Sequence, residues 1–170
     1  QKEIIKNALL EQNLFIIQGP PGTGKTTIIK EIVYQYLKDN PKRKCLIVSQ
    51  QNTAVDNALK RIYKENKDEW FDYGSKNIVR VAVVTGKVDD AIQPFTIDNW
   101  FNDYKRRLCE AYQKTLARDV RLQKLMQDWY RLVDKENISL IDREVADVLL
   151  SSHQIVGATC VGFANKRLGI

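Results

Sequence analysis

Between positions 19 and 26 the chain reads Gly19-Pro20-Pro21-Gly22-Thr23-Gly24-Lys25-Thr26. Its G-x-x-x-x-G-K-[ST] spacing points to phosphate chemistry. Glycines let the backbone curl so that successive N–H groups face one point, where phosphate oxygens can sit. A helix starting near Lys25 adds the positive end of its dipole. Lys25 supplies a compact positive charge to the β- and γ-phosphates, and the Thr26 hydroxyl supplies an oxygen ligand for Mg²⁺. The candidate nucleotide-binding residues are therefore Gly19, Pro20, Pro21, Gly22, Thr23, Gly24, Lys25, Thr26 and Thr27. Lys25 and Thr26 are the catalytic candidates, and Thr26 is the metal ligand. An ordinary Gly/Pro turn before a helix would account for the glycines but not for the Lys-Thr pair.

Such a loop works only between a strand and a helix. Leu14-Phe15-Ile16-Ile17, just before it, is a continuous apolar run too short for a helix, and it reads as a fully buried parallel strand. After the loop, Ile28, Ile29, Ile32, Val33 and Tyr36 recur at helical spacing until Asp39-Asn40-Pro41 stops the helix. Cys45 to Val48 is a second buried strand, leading through Ser49 to Asn52 into a helix from about Ala54 to Lys64. Ile78 to Val84 and Ile155 to Ala158 are further strand candidates, and Gln1 to Leu10 carries one apolar helical face. Strands alternating with helices argue for an α/β fold, a parallel sheet flanked by helices, with ligands at the carboxyl ends of the strands.

One stretch departs from that alternation. From about Asn99 to Glu136, Leu108, Tyr112, Leu116, Val120, Leu125, Trp129 and Leu132 recur at three- and four-residue steps. At 1.5 Å per residue such a helix is on the order of 50 Å long. A second helix, Leu140 to Leu150, is placed to be capped by Ser139 with Asp142 reaching back, and its stripe of Ile141, Val145 and Val148 could pair with the first. Residues 99–152 are thus expected to form a helical hairpin inserted in the domain. Two helices broken near Arg118 are the alternative.

Composition narrows the classes. The 170 residues are 44% hydrophobic and 28% charged, enough for one domain with a real core and too apolar for a disordered chain. No apolar run approaches the length of a membrane span, and Cys45, Cys109 and Cys160 are too scattered for a disulfide framework or a zinc knuckle. A reduced, intracellular and cytoplasmic protein with no membrane partner is the expectation. The net charge of +6 is compatible with nucleic acid but does not demand it, because acids and bases are interspersed.

The sharper signal lies downstream of the phosphate loop. Ser49-Gln50-Gln51-Asn52-Thr53-Ala54-Val55-Asp56-Asn57-Ala58-Leu59 resembles motif Ia of superfamily 1 helicases, in the branch related to the nonsense-mediated-decay helicase and senataxin. Gln1 is placed like that family's adenine-reading glutamine. Thr96-Ile97-Asp98 resembles motif Ib, and Ile155 through Gly162 resembles the Ala-Thr-Cys-Val-Gly stretch before the family's Walker B strand. The phosphate loop alone is shared with AAA+ remodelling ATPases, which remain the alternative; a nucleic-acid-binding scaffold with a vestigial loop is a third reading.

The resemblance implies that residues 1–170 are part of a RecA-like ATP-binding domain. With Mg²⁺ and a second RecA-like domain of the same parent chain, it would drive 5′ to 3′ translocation on single-stranded DNA or RNA. It implies that Gln1 selects adenine, and that Asn52, Thr53, Asn57, Thr96, Asp98 and Thr159 line the strand's track through backbone contacts that carry little sequence information. No Asp-Glu pair follows the Ile155 strand, so the chain by itself is expected to bind nucleotide weakly, to turn over essentially none, and to self-associate through an open sheet edge. Bland roles are expected elsewhere. Cys160 would be a small apolar filler, His153 a helix-end or solvated residue, and Lys105-Arg106-Arg107 a solvated helix face. Trp70, Phe71 and Tyr73 would pack on the sheet edge, or else form a base-stacking loop.

Overall fold

The computed structural model describes residues 1–38, 40, 42–65, 78–82, 85–115 and 147–163. Helix α1 spans Lys2–Leu10 and α2 spans Lys25–Lys38. Strand β1 (Cys45–Ser49) leads into α3 (Asn52–Glu65), and β2 (Ile78–Val81) follows. Two short 3₁₀ turns, Thr85–Lys87 and Gln93–Phe95, precede α4 (Ile97–Thr115). Helix α5 covers 147–152, strand β3 is Ile155–Thr159, and a single turn, α6, is Cys160–Phe163.

β3 lies between β1 and β2, parallel to both. Cys45 and Ile78 both pair with Ile155, so the three strands start level and their carboxyl ends, with Ser49, Val81 and Thr159, fall at one edge of the sheet. One face is covered by α3. Val55, Leu59 and Ile62 are fully buried against Ile78 and Ile155, and Val33 and Leu37 of α2 extend the same cluster. The approach is closest at Gly157, where a Cβ would stand 2.6 Å from Leu59 Cδ1 and 3.1 Å from Val55 Cγ1. A side chain at that position would push the helix off the sheet. On the other face Ile97, Trp100 and Leu150 pack on Val79, Val81, Val156 and Ala158. Trp100 also donates its indole N–H to the Ile78 carbonyl at 3.1 Å, which fastens α4 to β2.

The parallel sheet flanked by helices agrees with the sequence reading, with one exception. Leu14 to Ile17 forms no regular element and lies outside the sheet, and Leu14 and Ile16 are 74% and 78% exposed. The run has the composition of a buried strand, but a strand exists only through its ladder, and among the described residues none pairs with it. Strand β2 ends at Val81, with positions 83 and 84 of the expected run outside the described residues, and α3 begins at Asn52 rather than near Ala54. The long helix is present from Ile97 to Thr115. Its continuation, the helix start at Ser139 and Asp142, and Trp70, Phe71 and Tyr73 lie outside the described residues.

Candidate functional site

The phosphate loop has the backbone its glycines foreshadow. Gly22 and Gly24 take φ of +80° and +82°, in the left-handed region that side chains rarely adopt. Gly24 then caps α2, its carbonyl accepting the N–H groups of Thr27 (2.9 Å) and Ile28 (3.1 Å). At Gly19 a Cβ would come within 2.8 Å of Thr23 Oγ1, whose hydroxyl donates to the Pro20 carbonyl at 2.9 Å. The Lys25 ammonium folds over the loop and donates to the carbonyls of Gly19 (2.5 Å) and Pro20 (2.7 Å). A lysine held over the concave side of the loop can exchange those carbonyls for phosphate oxygens without moving the backbone.

Gln1 lies at the same place. Its Nε2 would be 3.5 Å from a Cβ built on Gly24, so the exposed glutamine stands beside the loop where an adenine edge could be read. Thr26 opens onto a cavity of about 470 Å³ that it shares with Asn57, Lys60, Arg61 and Lys64. Arg61 donates to Thr27 Oγ1 at 2.7 Å, bracing α3 against the first turn of α2. Lys60 pairs with Asp89 at 2.5 Å, and that hydrogen bond, before any other cause, holds the Asp89 carboxyl below its usual range. The wall facing Thr26 is thus strongly cationic, the environment a polyphosphate needs. Lys60 and Arg61 were missed in the sequence reading. Their signal was there, a basic i, i+1 pair on the polar side of an amphipathic helix, but charged helix faces are common.

The residues of the proposed strand track divide by burial. Thr53, Asn57 and Asp98 are exposed, and Asn52 is half-buried. Thr96 and Thr159 are buried, and each spends its hydroxyl on backbone. Thr96 donates to the Gln93 carbonyl at 2.8 Å, and Thr159 Oγ1 accepts the Gly162 N–H at 3.0 Å, capping α6. Asn52, Thr96 and Thr159 nevertheless gather at the carboxyl-end edge of the sheet, because each follows, ends or adjoins a strand there. Arg80, which is fully buried and which the sequence reading also passed over, joins Asn52 to the loop of Thr96. Its Nε donates to Asp56 Oδ1 and its Nη2 to Asn52 Oδ1, both at 2.7 Å, while Nη1 bonds the Val81 carbonyl. A charged residue inside Ile-Val-Arg-Val is the visible signal, since a buried guanidinium must find a partner.

Other expectations resolve simply. Arg106 and Arg107 pair with Asp103 along α4, and Arg106 also with Glu110, a solvated face. His153 ends α5 as expected but is buried rather than solvated, its Nδ1 2.5 Å from the Leu149 carbonyl and its ring edge-on to Trp100. Cys160 is exposed, not a filler. The described residues contain no group of three or more His, Cys, Asp or Glu that could hold a resident metal. At the loop, Thr26 lines the cavity and has a hydroxyl whose oxygen would suit a Mg²⁺ arriving with its phosphates. No helix among the described residues is long and apolar enough to cross a membrane.

A family profile described as "AAA domain" matches residues 1–137. A protein of Methanocaldococcus jannaschii named as an uncharacterized ATP-dependent helicase is 38% identical over 69% of the chain, which covers 16% of that protein. The regulator of nonsense transcripts 1 homolog of Drosophila melanogaster is 28% identical over 96% of the chain and 12% of its own length. The DNA-binding protein SMUBP-2 of Mus musculus is 48% identical over 36% of the chain and 6% of its own. The chain therefore spans less than a fifth of the curated relatives it matches.

Proposed function

The chain belongs to the AAA-domain family, and we propose that it is the nucleotide-binding part of a superfamily 1 helicase. In this reading ATP hydrolysis drives 5′ to 3′ movement along single-stranded DNA or RNA. The helicase reading rests on likeness to relatives named as ATP-dependent helicases. What carries its nucleotide-binding part is the phosphate loop, with Lys25 folded over it and braced by the Arg61–Thr27 bond against the helix that begins at Asn52. A change in the phosphates has a direct mechanical route to α3 through that bond.

The chain's own residues divide the work. The loop amides and Lys25 neutralise the β- and γ-phosphates, and α2 adds its dipole. Thr26 gives a hard oxygen to Mg²⁺, which supplies charge neutralisation at the phosphates when bound. Gln1 reads the adenine edge beside Gly24. Asn52, Thr53 and Asn57 at the start of α3, with Asp98 at the start of α4, face the strand, and Thr96 and Thr159 shape the track from beneath. The residues that activate water, the second RecA-like domain and the closing of the site lie with the rest of the parent chain, so the 170-residue segment alone binds nucleotide weakly and does not turn it over.

The test is ATPase activity of the complete protein with and without single-stranded DNA or RNA, with Lys25→Ala as the blank. Strong Lys25-dependent stimulation by one nucleic acid is the expected result and identifies the substrate. Lys25-dependent turnover indifferent to both would put a remodelling ATPase in place of the helicase. Separately, turnover by the isolated segment that Lys25→Ala abolishes would overturn its assigned inactivity.

A further inference from the structure

We propose that Arg80 is a positioning residue that sets the orientation of the Asn52 side chain and so fixes which hydrogen-bonding group α3 offers to a nucleic-acid backbone. The proposal rests on the reading of Asn52 as part of the strand track. Arg80 is fully buried and its charge is matched by Asp56, 2.7 Å away and itself 2% exposed. The guanidinium therefore contributes no attraction for phosphate. What it contributes is geometry.

Its fork reaches two residues one helical turn apart, Asn52 and Asp56, and so locks the first turn of α3 to β2. Asp56 uses its second oxygen to accept the Asp89 N–H at 3.1 Å, and Arg80 itself bridges to Thr96 through the backbone. One side chain thus ties together the helix of Asn52, the turn at Asp89 and the loop of Thr96. The chemical consequence lies at Asn52. A guanidinium has only donors, so the amide must present its oxygen to Arg80. The polar function left on Asn52 is then its NH₂, a donor, which suits the acceptor-only oxygens of phosphate. Without the fork the amide could turn over and present an acceptor instead.

The test uses the complete protein, with oligo(dT) and oligo(U) as probes. The readouts are the probe concentration giving half-maximal ATPase stimulation, KM for ATP without probe, and melting temperature. Arg80→Lys keeps the buried charge opposite Asp56 but cannot span both partners. It should raise the half-maximal concentration about tenfold, the scale of one oriented hydrogen bond, with KM for ATP within about twofold of wild type. Asn52→Ala should raise it similarly, and the double variant no further, because both act through one contact.

If Asn52→Ala weakens binding and Arg80→Lys does not, the positioning role is overturned while the strand track stands. If Asn52→Ala changes nothing, the track reading fails at Asn52 and the proposal with it. Parallel losses in melting temperature, KM for ATP and probe affinity would make Arg80 a folding residue only and overturn the proposal. Should Arg80→Lys fail to fold, Asp56→Asn with Arg80→Gln removes the fork while leaving no buried charge unpaired, and is judged by the same readouts.

Discussion

At the residue scale the phosphate loop separates what glycine does for the backbone from what Lys25 does for the ligand. Gly22 and Gly24 both sit at positive φ, but nothing lies within 4 Å of a Cβ at Gly22, whereas one at Gly24 meets Gln1 at 3.5 Å. Gly22→Ala should therefore lower stability only through backbone strain, by about 1–2 kcal/mol, read as a shift in the urea midpoint at constant slope. Gly24→Ala carries the same strain, and its Cβ would meet Gln1 only at an ordinary van der Waals distance. Gln1→Ala is therefore the variant that should weaken selection of ATP over GTP, measured by a competition titration, and unchanged selectivity there would remove Gln1 from its assigned role. This loop was legible in the sequence because its chemistry is local: eight consecutive residues hold both the backbone need and the charge. Arg80 was not, because its meaning depends on Asp56 and Asn52, 24 and 28 residues away, and nothing in one sequence says that those three meet.

At the element scale the fold depends on how closely α3 lies on β3. Gly157 has no room for a side chain beneath Leu59 and Val55, so Gly157→Val should cost about 1–3 kcal/mol through overpacking. Since α3 carries Asn52 at its start, the same change should weaken binding of single-stranded nucleic acid before it weakens binding of ATP. A second fastening responds to pH. The Lys60 hydrogen bond holds the Asp89 carboxyl below its ordinary value, so the stability it adds is present above the unfolded carboxylate's pKa of about 3.9 and is lost as pH falls through the lower folded value. Asp89→Asn should thus be less stable than wild type near neutral pH, with the gap closing in melts taken on the acid side of that range. A gap of constant size would mean that Asp89 acts through its turn rather than its charge. The helices and the three paired strands were readable from periodicity, because each buries a face against a neighbour within the described residues. Leu14 to Ile17 misled for the complementary reason. Composition records a segment's preference for burial, while its hydrogen-bonded neighbour is set by tertiary structure.

At the scale of the whole molecule, the sheet is finished on one side and open on the other. Helices α4 and α5 cover the face at β2 and β3, but along β1 the same face leaves Leu46 and Val48 at 46% and 44% exposed, and β1's outer edge has no strand beside it among the described residues. Leu14 and Ile16 add further uncovered apolar surface. Exposed apolar area next to an unpaired strand edge is what a second chain can extend by pairing. The isolated 170-residue chain is therefore expected to self-associate at micromolar concentration, with sedimentation velocity showing dimers and larger species that grow with loading concentration. Leu46→Lys with Val48→Lys should return it to a monomer, because each lysine would have to be desolvated on pairing. The melting temperature should hardly change, since both side chains already face solvent in the monomer. If instead the wild-type chain sediments as one monomeric species at every concentration, the open β1 face is not an association surface. Monomers from the double lysine variant combined with a large loss of stability would show that Leu46 and Val48 belong to the core of the chain itself.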